Sequence, residues 1–404
     1  MKKNMTVFIL LAVFVSLATI AFIIWGFPYF LNTSLPAPTK TGFGSETVSA
    51  RIEQIVDAGT VNLGGVQQPY QDLSVQILEG QYKGSQVLVD YGKDQIQPEG
   101  ITFHPGDRIL VTVGLGPDGQ LVANYADAVR TGPILLLLAV FVAALLVVAR
   151  WKGLRSLLAL AFSFLVVIGY IIPHIIHGED PVRVSIIGSM ILLIVTLYLT
   201  YGWNIKTHSA VLAILIVLII TGGLAGLFVK VALLTGNGNE EALYLMQMPG
   251  ITINLRGLLL GGMILGTLGV LDDLIITQAS AVFELREANS ALGLRQLYQK
   301  AYRIGQDHVA STVNTLVMAY TGVALPMLLL FSLERGNYAQ LVNVASVAEE
   351  IVRTLVGSVG LIAAVPVATF VAALMALYSD RLGVLRPYLG PETGEEAHSS
   401  TGVS

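Results

Sequence analysis

Two adjacent carboxylates, Asp272 and Asp273, interrupt the long apolar run Gly257–Glu284, which reads GLLLGGMILGTLGVLDDLIITQASAVFE. A charged side chain within hydrocarbon costs at least about 2.5–3.5 kcal/mol, so such a residue marks a functional position by default. Burial and a like-charged neighbour both favour the protonated form of a carboxyl group, and two groups this close titrate as a pair. The chemistry on offer is therefore proton uptake and release. At helical spacing Asp273, Thr277, Ser280 and Glu284 share one face, while Asp272 points elsewhere. That polar stripe suits an ion or proton path, or a hydrogen-bonded seam between helices. An alternative is a hydrated pair at the headgroup border, neutralised by Arg295 or Arg303.

The depth of the pair follows from the helix that must carry it. If Arg256 marks one membrane boundary, about sixteen residues at 1.5 Å each place Asp273 about 24 Å into a core of about 30 Å. Apolar residues follow on the other side, so the pair is more than the first solvated step of a loop. Gly257, Gly261, Gly262, Gly266 and Gly269 form overlapping small-xxx-small patterns that let another helix approach closely. This helix is expected at the centre of a bundle.

The rest of the chain is consistent with that setting. Of 404 residues, 54% are hydrophobic and 12% charged, against about 25% charged in an ordinary soluble domain. The net charge is -4 with no basic block, which sets nucleic acid aside as a partner. Cysteine is absent, and with it disulfides, thiolate metal sites and thiol nucleophiles. No Walker A loop, zincin pattern or nucleophile elbow is present, so no catalytic residue, metal or cofactor is expected.

Lys2 and Lys3 precede an apolar run from Met5 to Trp25 that is long enough to span and lacks a clear cleavage site, which predicts an anchor over residues 1–31. Residues 32–130 change to short alternating runs separated by Gly64-Gly65, Gly80, Gly84, Pro105-Gly106-Asp107 and Pro117-Asp118-Gly119. Strands are expected at Thr47–Val56, Ser74–Leu78, Ser85–Tyr91, Arg108–Val113 and Leu121–Ala128, forming a small all-β domain. An OB-like barrel and a sandwich are both compatible with that strand count. Residues 131–380 contain seven apolar spans, near Pro133–Ala149, Ser156–Ile172, Val182–Tyr201, Ser209–Leu233, Gly257–Leu274, Thr312–Phe331 and Thr354–Leu377. With the anchor, the expectation is a polytopic α-helical membrane protein of about eight transmembrane helices. Leu233–Gly250 reads either as a loop or as a re-entrant segment. Residues 381–404 form a short polar tail, expected to be disordered from Pro391 onward. Lysine and arginine gather in alternate connections, which predicts both termini in the cytoplasm and the β-domain outside the cell membrane.

Three further groups carry polar chemistry. His174 and His177 stand three apart beside Glu179 and Asp180, a spacing that can hold a metal but here reads as a solvated loop. Asn314, Thr315, Tyr320 and Thr321 place hydrogen-bonding groups in one span, where ordinary helix packing accounts for them; contact with the Asp273 stripe, at a matching depth, is the alternative. Glu349, Glu350 and Arg353 precede the last span and suit an ion pair at the outer interface.

The segments GTLGVLDDLIITQASAVFEL, RIGQD at Arg303–Asp307, NTLVMAYTG at Asn314–Gly322 and AEEIVRTLVGSVGL at Ala348–Leu361, with Pro366, resemble the YibE/F-like family of bacterial multi-pass membrane proteins. The anchor, the small β-domain and the GDRILV strand at Gly106–Val111 fit the same pattern. The resemblance implies a polytopic membrane protein and no defined activity. The residues themselves favour a transport or channel-like role centred on the carboxylate helix. The alternative is a membrane scaffold or sensor whose β-domain binds an envelope partner. The lipid bilayer is the one required partner, and the glycine faces also allow a homo-oligomer or a paralogous subunit.

Overall fold

The computed structural model describes residues 46–94, 101–116, 118–238, 240–248, 252–333 and 338–392. The expected anchor and residues 393–404 lie outside them. The chain divides into two compact units with the boundary between Ala144 and Leu145.

The first unit holds an antiparallel sheet of five strands, β1 (Glu46–Leu63), β2 (Val66–Ile77), β3 (Gln86–Tyr91), β4 (Arg108–Leu115) and β5 (Leu121–Ala128), in the order β3-β2-β1-β4-β5. Register shifts in β1 between Ile52 and Gln54 and between Ile55 and Asp57 mark the irregularities that bend a strand and raise its twist. The sheet curls into a half-barrel around Ile52, Leu73, Val75, Ile109 and Val111, all buried. Tyr91 on β3 and Tyr125 on β5 meet edge-on, with ring centroids 4.9 Å apart, and Phe103 packs against both. Gln71 fixes the Phe103 loop by accepting from its N–H at 2.9 Å and donating to its carbonyl at 3.1 Å.

The strands differ from expectation in one place. β1 and β2 run on beyond the rest of the sheet as a two-stranded arm, paired up to Leu63 and Val66. The turn Gly64-Gly65, with φ of 59° and 90°, is a two-residue hairpin loop of the kind glycine favours. Residues 57–70 include Asp57, Gly59, Asn62 and Pro69, so they lack the alternation that announces a strand.

The second unit is helical, and α1 (Thr131–Val166) leads into it across the boundary. A π-helical turn (Val167–Ile171) and α2 (Ile172–Ile176) follow directly. Next come α3 (Pro181–Tyr201), α4 (Ile205–Val231), the short α5 (Glu240–Gln247), α6 (Leu255–Ala288), α7 (Leu294–Val323), α8 (Leu325–Leu333), α9 (Tyr338–Leu341) and α10 (Ala345–Tyr378). A 3-10 segment, Ser379–Tyr388, closes the helical part. Caps follow the residue chemistry: the side chains of Asp180, Asn204 and Asn254 accept from the first turns of α3, α4 and α6.

Among the described residues, five helices are long and apolar enough to cross a membrane, or six if the bent pair α7–α8 is one span. The expectation of about eight differs for two reasons. The anchor is outside the described residues, and the spans expected at Pro133–Ala149 and Ser156–Ile172 fall in one helical stretch. That stretch is interrupted where the two were divided: Arg150 has φ 48°, and a Cβ on Gly153 would lie 2.7 Å from the Leu145 carbonyl oxygen. The span expected at Thr312–Phe331 is bent by 61° between α7 and α8, where Pro326 removes a backbone donor and crowds the preceding turn. Leu233–Gly250 holds only the short α5 among its described residues.

α6 and α10 occupy the middle of the bundle. α10 packs on α4, α6 and α7, and α6 packs on α3, α4, α7 and α10. Large apolar side chains such as Leu136, Val148, Ile219 and Ile362 point outward, as a hydrocarbon-facing surface requires. The tail is not free from its start, because Ile205 N–H donates to the Pro391 carbonyl at 3.0 Å.

The Tyr91 hydroxyl is buried and lacks a hydrogen-bond partner among the described residues. Burial also pushes its phenol above the usual range, so the unfolded chain ionises there first. Stability from this group is present below about pH 10 and falls as pH rises through the higher folded value. Tyr91→Phe should leave the thermal midpoint at neutral pH unchanged or higher and flatten its alkaline decline, as read by circular dichroism.

Candidate functional site

Helix α6 brings its carboxylates to a cleft of about 440 Å³ between α1, α3 and α6. Asp272 and Asp273 line it together with Ser156, Ser163, Thr196, Thr200 and Tyr201, over an apolar floor that includes Leu193 and Leu268. The two aspartates do not sit alike. Asp272 is half-buried, and its Oδ1 is fully enclosed without a hydrogen-bond partner among the described residues. Asp273 is exposed. Consecutive helical residues point about 100° apart, so one carboxylate turns toward the interior while the other turns outward.

The hydroxyls have a definite polarity. Ser163 Oγ donates to the Ala159 carbonyl at 2.9 Å, and Thr196 Oγ1 donates to the Leu192 carbonyl at 2.7 Å. Each proton is spent on the helix's own backbone, which leaves oxygen lone pairs for the cleft. No basic side chain lines the cleft among the described residues. The wall thus offers mostly acceptors and negative charge.

Glycine shapes this wall in two ways. A Cβ on Gly261 would lie 2.3 Å from Ser185 Oγ, and one on Gly257 would lie 3.3 Å from Pro181 Cδ. These two let α3 approach α6 closely. Gly269 lines the cleft, and a Cβ there would meet nothing within 4 Å. Gly262 is also open, and Gly266 has only Tyr320 Oη nearby, at 3.7 Å.

Residues 137–377 match the family described as YibE/F-like protein. The chain belongs to that family. No curated protein and no solved structure matches it. The matched region covers the cleft and the bundle, and the β-domain lies outside it.

In this YibE/F-like protein the predicted stripe below Asp273 faces outward: Thr277 and Glu284 are exposed and Ser280 is half-buried. One buried polar residue of α6 is a position that sequence reasoning missed. Gln278 is 1% exposed; its amide donates to the Ala301 carbonyl at 2.8 Å and to Thr369 Oγ1 at 2.7 Å. Thr369 Oγ1 in turn donates to the Val365 carbonyl. Gly305 makes room, since a Cβ there would stand 2.6 Å from Gln278 Oε1. A glycine on α7 opposite a glutamine on α6 was the only available signal, and one sequence does not show which helices meet.

Asn314 is exposed and does not line the cleft. Glu350 and Arg353 form an ion pair at 3.1 Å. Glu349 does something else: it is buried, and its Oε1 accepts from the Gly236 N–H at 2.9 Å, tying α10 to the loop after α4. His174 and His177 each direct Nδ1 to the backbone carbonyl four residues earlier, Tyr170 and Pro173. Among the described residues, no group of three or more potential ligands could hold a metal.

Gln278→Ala removes two buried interhelical hydrogen bonds and should lower stability in mild detergent by about 1–3 kcal/mol. The exposed neighbour Thr277→Ala should change it by less than about 0.5 kcal/mol. Denaturant titration of the purified protein reads both.

Proposed function

We propose that this YibE/F-like protein is a transporter or channel-like protein in which the α1–α3–α6 cleft binds a cation or passes a proton. The supporting observation is that the described lining of the cleft carries two carboxylates and no basic side chain, beside an enclosed, unpartnered Asp272 oxygen. A volume of about 440 Å³ is in the range of small-molecule sites, so a partly hydrated ion or a small organic cation would fit. Asp272 would hold the ion or proton, Asp273 would draw it to the mouth, and Ser163 and Thr196 would replace lost water. The acceptor-rich wall argues against an anion.

In this reading both termini are cytoplasmic and the β-domain is extracytoplasmic, following the distribution of Lys and Arg. The cleft then opens toward the inner leaflet. The half-barrel is read as OB-like, and it would guard or sense the outer approach.

A second reading has one observation of its own. The β1–β2 arm extends past its neighbours, with Val56 and Val66 exposed near it. A lone hairpin is marginally stable in water, and its open edges suit strand addition by a partner. In that case the protein is a scaffold or sensor for an envelope protein.

Reconstitution into proteoliposomes separates the two. Asp272→Asn should reduce cation or proton flux at least about ten-fold, equivalent to about 1.4 kcal/mol, and Asp273→Asn should reduce it less. Flux unchanged in both variants, with a measurable wild-type flux, would sink the transport reading. Replacing residues 57–70 by a short turn should leave flux intact and should abolish partner crosslinking only if the scaffold reading holds.

A further inference from the structure

The segment Tyr388–Glu392 makes a concentrated set of hydrogen bonds to the turn between α3 and α4. Trp203 Nε1 donates to the Tyr388 carbonyl at 2.7 Å, and His208 Nε2 lies 3.2 Å from the Leu389 carbonyl. Ile205 and Lys206 donate their backbone N–H groups to Pro391 and Glu392 at 3.0 and 3.3 Å. These two amides belong to the first turn of α4, where the helix supplies no acceptor of its own. The segment thus completes a helix terminus from the far end of the chain. Its own bend is fixed by Gly390, at φ 71°, whose carbonyl accepts from Arg386 Nη1 at 2.8 Å.

The turn it grips carries part of the cleft. Thr200 and Tyr201 line the cleft at the end of α3, and Asn204 Nδ2 donates to the Tyr201 carbonyl at 2.9 Å. Tyr198 stacks on Trp203 at 4.7 Å between ring centroids and hydrogen-bonds to His208 Nδ1 at 2.6 Å. Grip and cleft wall are therefore successive residues of one rigid aromatic turn. The grip is shallow at Trp203 and Tyr388, both more than half exposed, and Leu389 is the one apolar side chain of the segment that packs, half-buried, on the helical core; water can replace the backbone bonds when the segment leaves. Segments with few buried apolar contacts open at low free energy.

We propose that Tyr388–Glu392 is a latch that holds the Thr200–Tyr201 wall against the carboxylates and limits access to the cleft. The latch rests on the reading of this cleft as the functional site, and it regulates that site from the C-terminal end of the chain. Bound, it fixes Tyr201 at the mouth; released, it lets the end of α3 move and the cleft take up water and solutes.

The chain has no cysteine, so one introduced thiol reports on one position. Ser163→Cys places it in the cleft wall. Two changes release the latch: Gly390→Val, whose Cβ would lie 2.6 Å from the Trp203 carbonyl oxygen, and truncation after Tyr388. Modification of Ser163→Cys by a small membrane-impermeant thiol reagent, applied to vesicles of either orientation, should be at least about five-fold faster in both. Rates within about two-fold of the latched protein would overturn the proposal. So would an effect of the truncation alone, which would assign it to residues 393–404. A thiol that never reacts in any background also overturns it, since no opening then occurs. If the truncation fails to fold, as seen by size-exclusion chromatography, Gly390→Val decides; if Gly390→Val fails, truncation after Glu392, expected to leave the rate unchanged, separates the latch from residues 393–404. Labelling requires no transport, so its outcome stands apart from the flux test of Asp272→Asn.

Discussion

Between the central helices, every polar group must find its partner in protein, because hydrocarbon provides none. Gln278 meets that constraint in full, reaching α7 through the Ala301 carbonyl and α10 through Thr369. Those two bonds fix the register of three helices at one level, and the tight approach of Gly305 follows from them. Asp272, on the same helix six residues earlier, does not meet it: one oxygen is enclosed and unpartnered among the described residues. One helix thus carries a satisfied polar group that locks the bundle and an unsatisfied one beside a cleft. The first holds α6 in place, and the second leaves a carboxylate oxygen beside the cleft.

The glycines divide along the same line. Gly257 and Gly261 bring α3 close enough to α6 that a methyl group at Gly261 would collide with Ser185. Gly269, two turns further on, faces open space inside the cleft. The same residue type closes one end of the α3–α6 contact and opens the other. A wedge of this form sets how far α3 and α6 stand apart at the cleft.

Much of this was readable in the sequence. The apolar spans, the β-domain, the carboxylate helix and the break at Arg150 all follow from composition and periodicity. The stripe Asp273, Thr277, Ser280 and Glu284 is a true helical face, but periodicity does not say which face meets neighbours. It faces outward, while Gln278 and Asp272 turn inward. Gln278 passed unnoticed because it is uncharged, and a neutral amide among apolar residues looks like ordinary helix surface. The β1–β2 arm was missed for the opposite reason, since its strand pairing is set by the Gly64-Gly65 turn rather than by alternation. Glu349 illustrates the same limit. Spacing offered Arg353 to Glu349 or Glu350; Glu350 takes it, while Glu349 bonds to Gly236, more than a hundred residues away in sequence.

The α3–α4 turn is where a distant part of the chain meets residues that border the cleft. α4 starts with amides that no residue of its own helix can satisfy, and Asn204 answers only one of them, the Thr207 N–H. The carbonyls of Pro391 and Glu392 answer two more. A helix start completed by local residues would be permanent, because its partners cannot diffuse away. One completed by a distant and shallowly held segment is conditional, and here the condition is attached to the residues that border Asp272 and Asp273. The packing of the bundle and the start of α4 therefore follow from the same rule of polar satisfaction, met in one case within the bundle and in the other by the end of the chain.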